Sequence, residues 1–329
     1  MLVVDAPSRP VFAPSRTSAG VAFALLSAVS FGVSGALGRP LLASGWSPGA
    51  VVTIRIALGA LIVLPFGLRA LRGRWHLLRR GAGVIVLYGV LAVAGAQFCY
   101  FASLQYMQAG PALLIEYTAP AIVVLWMWLR HRHRPTRWTL VGIGLAAFGL
   151  VLVLDVAGAS FHPAGAAWAL AAMVGAATYF IINADDRLGI PPLALASGGL
   201  VVGAATLGLL GLVGLMPLEA TTVPVSYAGV ELPWWAPFLA LGLVSTAVPY
   251  VTGIAAGRRL GSRLASFLGL SEVLAAILWS WLLLGELPRP IQFAGGALVL
   301  LGVVAVKLGE RPAPGEAPIP AATGPLPLP

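Results

Sequence analysis

Apolar residues run through this chain in long unbroken blocks. Ten such blocks lie near 18–38, 48–68, 82–105, 110–130, 138–155, 163–183, 191–216, 235–256, 264–284 and 290–307. A hydrocarbon core of ~30 Å is crossed by ~20 apolar residues in a helix, so each block predicts one crossing. Strict alternation, which barrel strands need, is absent. The pattern predicts an all-α integral membrane protein with ten transmembrane helices, since a helix satisfies its own backbone in lipid.

Composition sharpens this. The chain is 59% hydrophobic and only 9% charged, against about 25% charged in soluble domains. Too few charges remain to coat a water-facing surface. The net charge of +9 would suit nucleic acid, but its placement argues for topology. With ten spans, nearly every Lys and Arg falls on one side. These are Arg9 and Arg16; Arg69, Arg72, Arg74, Arg79 and Arg80; Arg130, Arg132, Arg134 and Arg137; Arg187; Arg258, Arg259 and Arg263; and Lys307 and Arg311. Arg39 and Arg289 fall on the other side and Arg55 inside a span. The positive-inside rule then puts both termini in the cytoplasm. For a bacterial chain the expected place is the cytoplasmic (inner) membrane.

Residues 1–17 read as a cytoplasmic tail, because no basic region leads directly into an apolar core as in a signal peptide. The Pro-rich stretch 309–329 reads as a disordered cytoplasmic tail. Cys99 is the single cysteine, which excludes a disulfide within the chain and a multi-cysteine metal site. Histidines 76, 131, 133 and 162 fall in loops. "HRH" (131–133) reads as a topology signal, and we expect no metal, no cofactor and no nucleic-acid partner. The chain has neither a Walker A string nor HExxH, which argues against ATP-driven transport and against a zinc enzyme.

The chain also repeats itself. "WMWLRHRHRP" (126–135) and "WSWLLLGELP" (279–288) share Trp, Trp, Leu and Pro at an offset of 153 residues. Gly142 and Gly149 match Gly295 and Gly302 at the same offset, and Gly32 and Pro48 match Gly175 and Pro191 at 143. Residues 18–155 (spans 1–5) and 163–308 (spans 6–10) therefore read as two copies of one five-helix unit. Five is odd, so the copies start on opposite sides of the membrane. Such inverted repeats permit alternating access to a central site.

At this point the chain resembles the drug/metabolite transporter superfamily and its EamA family of ten-helix carriers. "LLIEYTAP" (113–120), "STAVPY" (245–250) and "LSEVLAA" (270–276), followed by "LLLGELP", are most similar to the bacterial threonine/homoserine exporters. Those relatives usually carry proline after the glutamate of "SE"; here it is Val273. The resemblance implies a small-molecule substrate, an amino acid or related metabolite, with protons and membrane lipid as the other partners.

Ionisable residues inside a span cost at least ~2.5–3.5 kcal/mol each, so each needs a reason. Arg55 and Glu116 are predicted at one level, roughly 10 Å and 9 Å deep at 1.5 Å per residue. They read either as a site for a zwitterion, carboxylate on guanidinium and ammonium on carboxylate, or as a salt bridge between spans 2 and 4. Glu272 is predicted about eight residues into span 9. It reads either as a proton-coupling group, a role Glu116 would share, or as a neutral acid bonded to a neighbouring helix. Gln97, Tyr100, Tyr117, Tyr179, Asn183, Tyr250 and Ser271 are further substrate-binding candidates, each also able to serve as an interhelical hydrogen-bonding group. The leading expectation is a secondary transporter exporting small amino acids by proton antiport. Its rivals are a carrier for another metabolite or a drug-like cation and, less favoured, a membrane-embedded enzyme.

Overall fold

A computed structural model describes residues 16–119, 136–154, 162–184, 187–269 and 271–309. The tails to 15 and from 310, the "WMWLRHRHRP" string with its histidines, and Asp185 and Asp186 lie outside the described residues. The remaining chain is helical apart from one small hairpin. Helix α1 is Arg16–Ala43 and α2 is Pro48–Ala70. A third rod joins α3 (Trp75–Leu87), a π-helical stretch (Tyr88–Gly95) and α4 (Ala96–Ser103). Helix α5 is Ala109–Glu116, α6 is Arg137–Leu154, α7 is Pro163–Ala184 and α8 is Pro192–Leu212. The next rod joins α9 (Trp235–Gly242), a second π-helical stretch (Leu243–Ala247) and α10 (Val248–Gly269). Helices α11 (Ser271–Leu284) and α12 (Pro290–Gly309) complete the bundle.

Six helical stretches among the described residues are long and apolar enough to cross a membrane. They are Ser18–Ala43, Pro48–Ala70, His76–Ser103, Pro163–Asn183, Pro192–Leu212 and Trp235–Leu260. Shorter apolar helices cover Arg137–Leu152, Ser271–Leu284 and Pro290–Gly302. The bundle is apolar outside and polar at its centre. Leu61 is 67% and Leu212 85% exposed, whereas Arg55 is 0% exposed. Soluble proteins seldom leave such large apolar surface uncovered.

Local signals set several ends. Ser47 caps α2, its Oγ accepting from the Ala50 N–H at 3.3 Å, and Pro48 occupies the first turn, where its missing N–H costs nothing. The same hydroxyl donates to the Pro217 carbonyl at 2.8 Å and accepts from the Glu219 N–H at 3.0 Å, which ties the long 213–224 connection down.

Three features depart from the sequence reading. The stretch after α8 contains an antiparallel hairpin, β1 (Val225–Tyr227) with β2 (Val230–Leu232), where no element was predicted. Ala228 (φ 49°) and Gly229 (φ 84°) turn it, both left-handed as a tight two-residue hairpin requires. The boundary between spans 8 and 9 also moves. It was predicted in the Arg258–Arg263 segment, but α10 runs on to Gly269 and α11 starts at Ser271. Leu, Arg and Ala favour helix, so the run continues past the charges. Finally, α5 stops at Glu116 with a turn at Tyr117 (φ −73°, ψ 2°), where an uninterrupted helix was predicted. Pro120 has no N–H for the carbonyl four residues earlier, that of Glu116.

Packing between the two halves is reciprocal. Helix α1 packs on α10 and α11; α7, the first helix of the second half, packs on α4 and α5. Helices α2 and α8 pack on each other, as do α6 and α12. The π-helical stretches also correspond: subtracting 153 from 243–247 gives 90–94, inside the first stretch. The α6–α12 seam is built on glycine. A Cβ on Gly149 would lie 2.7 Å from the Gly295 carbonyl oxygen and 2.7 Å from the Val299 nitrogen. A Cβ on Gly302 would lie 2.6 Å from the Gly142 carbonyl oxygen and 2.7 Å from the Ala146 nitrogen. Lipid tails are as apolar as leucine, so close backbone approach supplies the attraction.

Gly302→Val should therefore cost about 1–3 kcal/mol through overpacking against backbone that cannot yield. Gly208→Val, where nothing lies within 4 Å, is the control. Melting curves in detergent should show a clear loss for the first and little change for the second.

Candidate functional site

At the centre of the bundle the Arg55 guanidinium is enclosed. Its Nε donates to the Thr246 hydroxyl at 3.1 Å. Nη1 donates to the Ser34 hydroxyl at 2.6 Å and to Gln97 Oε1 at 2.9 Å. Nη2 donates to the Ser245 carbonyl at 2.7 Å and to the Ser245 hydroxyl at 3.0 Å. A guanidinium has five N–H donors, and all five are engaged by neutral oxygens. The Phe101 ring covers the charge, with Cζ 5.0 Å from the ring centroid. The fold builds this socket from sequence. Pro249 lacks the N–H that would bond the carbonyl four residues back, and that carbonyl belongs to Ser245. The Thr246 hydroxyl donates to the Leu241 carbonyl at 2.9 Å, so its lone pairs face Arg55.

Against this socket lies a small cavity. It is lined by the polar residues Ser34, Gln97, Tyr100, Glu116 and Glu272 together with Phe31 and Leu113. It offers about 20 Å³ to the centre of a water molecule. One water needs about 10–15 Å³ on that measure, so the cavity has room for about one water and none for an amino acid.

Glu116 is the last residue of α5 and Glu272 the second of α11. The structure thus brings both carboxyls to helix interruptions beside one cavity, although the sequence placed Glu272 deeper along a continuous span. Glu272 Oε2 accepts from the Tyr117 hydroxyl at 2.7 Å. Glu116 makes no hydrogen bond among the described residues and no ion pair with Arg55. The ion pair between described residues joins Arg39 to Glu286, 27% and 30% exposed, at one end of the bundle. At that end α1 lies flush on α4 and α5, with Gly35 against Ala109 and the Tyr100 hydroxyl, and Gly38 against Phe101. Toward the start of α1 lies a row of aromatic rings. Phe31 stands 5.2 Å from Tyr250, Tyr250 6.2 Å from Tyr179 and Tyr179 6.0 Å from Tyr88, between ring centroids.

Among the candidates from sequence, Gln97, Tyr100, Glu116 and Glu272 share the cavity. Arg55 and Tyr117 touch it through hydrogen-bonded neighbours, and Tyr250 and Tyr179 belong to the aromatic row. Asn183 does not line the cavity. Nor does Ser271, whose hydroxyl donates to the Leu268 carbonyl at 2.6 Å across the helix break. Sequence reasoning missed Ser34, Ser245 and Thr246. The last two lie in the quoted "STAVPY", and a proline four residues after Ser245 was a readable signal of a carbonyl needing a donor.

The two arginines, one buried and one partly exposed, differ in what they hold. Arg55→Lys keeps the charge but offers three donors to five acceptors, and should cost about 2–5 kcal/mol. Arg39→Ala breaks a solvent-reached pair and should cost ~0.2–1 kcal/mol. Thermal melting of both variants in detergent checks the order.

The EamA-like transporter family matches residues 18–155 and 163–308. The threonine/homoserine exporter RhtA of Escherichia coli (strain K12) is 28% identical over 87% of this chain and 89% of its own length. A probable terminal-alkyne amino-acid exporter of Streptantibioticus cattleyicolor is 29% identical over 85% of this chain and 87% of its own. A crystal structure with 21% identity superposes with TM-score 0.60, covering 89% of this chain and 97% of that one.

Proposed function

The chain belongs to the EamA-like transporter family, and on that premise we propose that it exports small, threonine/homoserine-like amino acids by alternating access, in exchange for protons. The carrying observation is the convergence of Glu116 and Glu272 on one cavity, beside the neutral polar groups Ser34, Gln97 and Tyr100. Carboxylates suit the ammonium end of an amino acid. A carboxyl that meets the cytoplasm in one state and the outside in another carries a proton across, driven by ~2.3 kcal/mol per 100 mV and by any pH gradient. The relatives named as amino-acid exporters point to the same substrate class.

The inverted ten-span repeat is part of this reading. Reciprocal packing of the halves, the corresponding π-helical stretches and the one-sided arginines support it. The cavity is too small for substrate, so on this reading it widens when substrate binds. The placement that follows is the bacterial cytoplasmic membrane with both termini inside.

One observation favours a second reading, a carrier for a metabolite or drug-like cation. Every Arg55 donor is occupied, so the cavity lining has carboxyls and no free cation.

Counterflow in proteoliposomes with a panel of labelled amino acids, with and without a pH gradient, tests both. We expect uptake of a small hydroxy-amino acid, accelerated several-fold by the gradient. Silence toward every amino acid, with counterflow of cationic amines, selects the second reading. Glu272→Gln should carry substrate without responding to the gradient; a full response in that variant removes Glu272 from proton coupling.

A further inference from the structure

We propose that the carboxylate of the exported amino acid is read by a cradle of three neutral donors, Ser34, Gln97 and Tyr100, with Arg55 acting from behind as a positioning residue. The inference rests on the amino-acid reading above and says how the site tells an amino acid from an amine.

Hydrogen-bond direction carries the argument. A guanidinium only donates. Its bond to Gln97 therefore turns the Gln97 carbonyl toward Arg55 and the amide NH₂ away from it, on a residue that lines the cavity. One amide hydrogen has the Tyr250 hydroxyl beside it; the other is left for a ligand. The bond at 2.6 Å to Ser34 likewise fills a lone pair of the hydroxyl and leaves its O–H to donate. No acceptor for that O–H is present among the described residues. Tyr100 lines the same cavity, and its buried hydroxyl has no hydrogen-bond partner among the described residues. A buried hydroxyl left unpaired is costly, and an incoming acceptor satisfies it. Its position is set by Gly35, where a Cβ would stand 2.5 Å from the Tyr100 oxygen.

Three unspent donors thus converge on one cavity from α1 and α4. They suit an anionic ligand group, and Arg55 strengthens two of them by polarising the groups that accept from it. The carboxyls of Glu116 and Glu272 line the same space and suit the ammonium. The cavity reads both ends of a zwitterion without exposing a guanidinium.

The test compares an amino acid with its decarboxylated amine and with a hydroxy acid that lacks the amine. L-threonine, 1-aminopropan-2-ol and lactate serve as probes. In proteoliposomes, Ser34→Ala and Tyr100→Phe should each raise the threonine KM roughly tenfold, the effect of one lost hydrogen bond to a charged group. Maximal rate should hold, and the amine should inhibit both variants as it inhibits wild type. Ser34→Thr, which keeps the hydroxyl, should restore the threonine KM. Arg55→Lys should lose the preference for threonine over the amine, a ratio that a purely structural role would not move. In detergent, lactate should raise the melting temperature of wild type and of neither Ser34→Ala nor Tyr100→Phe.

Threonine transport with an unchanged threonine-to-amine ratio in the variants overturns the cradle and leaves the function standing. Amine transport without amino-acid transport overturns both. A wild type whose melting temperature ignores lactate overturns the cradle, whatever the transport assay shows.

Discussion

A single buried cation organises the centre of this protein. Removing a charge from water into a bundle that faces lipid is expensive, and it persists only where every donor finds an acceptor. Arg55 meets that demand by recruiting oxygens from α1, α4 and the π-helical stretch before α10. Those elements are then held at fixed distance and orientation around one point. The cavity lies against this socket, and Ser34 and Gln97 belong to both.

Prolines build both sides of the site by the same means. In "STAVP" the proline leaves the Ser245 carbonyl four residues back without its helical donor, and Arg55 takes it. In "EYTAP" the proline stands four residues after Glu116, where α5 ends. Broken helices within a bundle gather polar backbone and side chains where a continuous helix would hide them. The glycine seams do the opposite work. Gly149 and Gly302 bring α6 and α12 into backbone contact away from that centre.

The carrier reading ties these features together. Under that proposal the cavity, which has room for about one water, would have to widen to admit substrate. Flush glycine contacts and the Arg39–Glu286 pair lie toward one end of it, and a row of aromatic rings lies toward the other.

Much of this was legible in the sequence. Block length marked the helices, six of which among the described residues are long and apolar enough to cross a membrane, because the lipid core fixes how many apolar residues a crossing needs. Intramembrane charge singled out Arg55, Glu116 and Glu272, because charge in lipid is too costly to be incidental. The glycine pairs at the 153-residue offset, read as repeat matches, lie together in one helix seam. The hairpin at 225–232 was readable but unread, in the alternation of "VSYAGVEL" around Ala-Gly. Other features were beyond a one-dimensional pattern. Depth along a helix could not say that Glu116 and Glu272 meet, since their levels depend on where helices break and how the rods are staggered. Nor could it say that Arg55 spends its donors on Ser34, Gln97, Ser245 and Thr246 in preference to a carboxylate. Which acceptors reach a buried donor is settled by packing between helices far apart in the chain, and only the tertiary structure decides it.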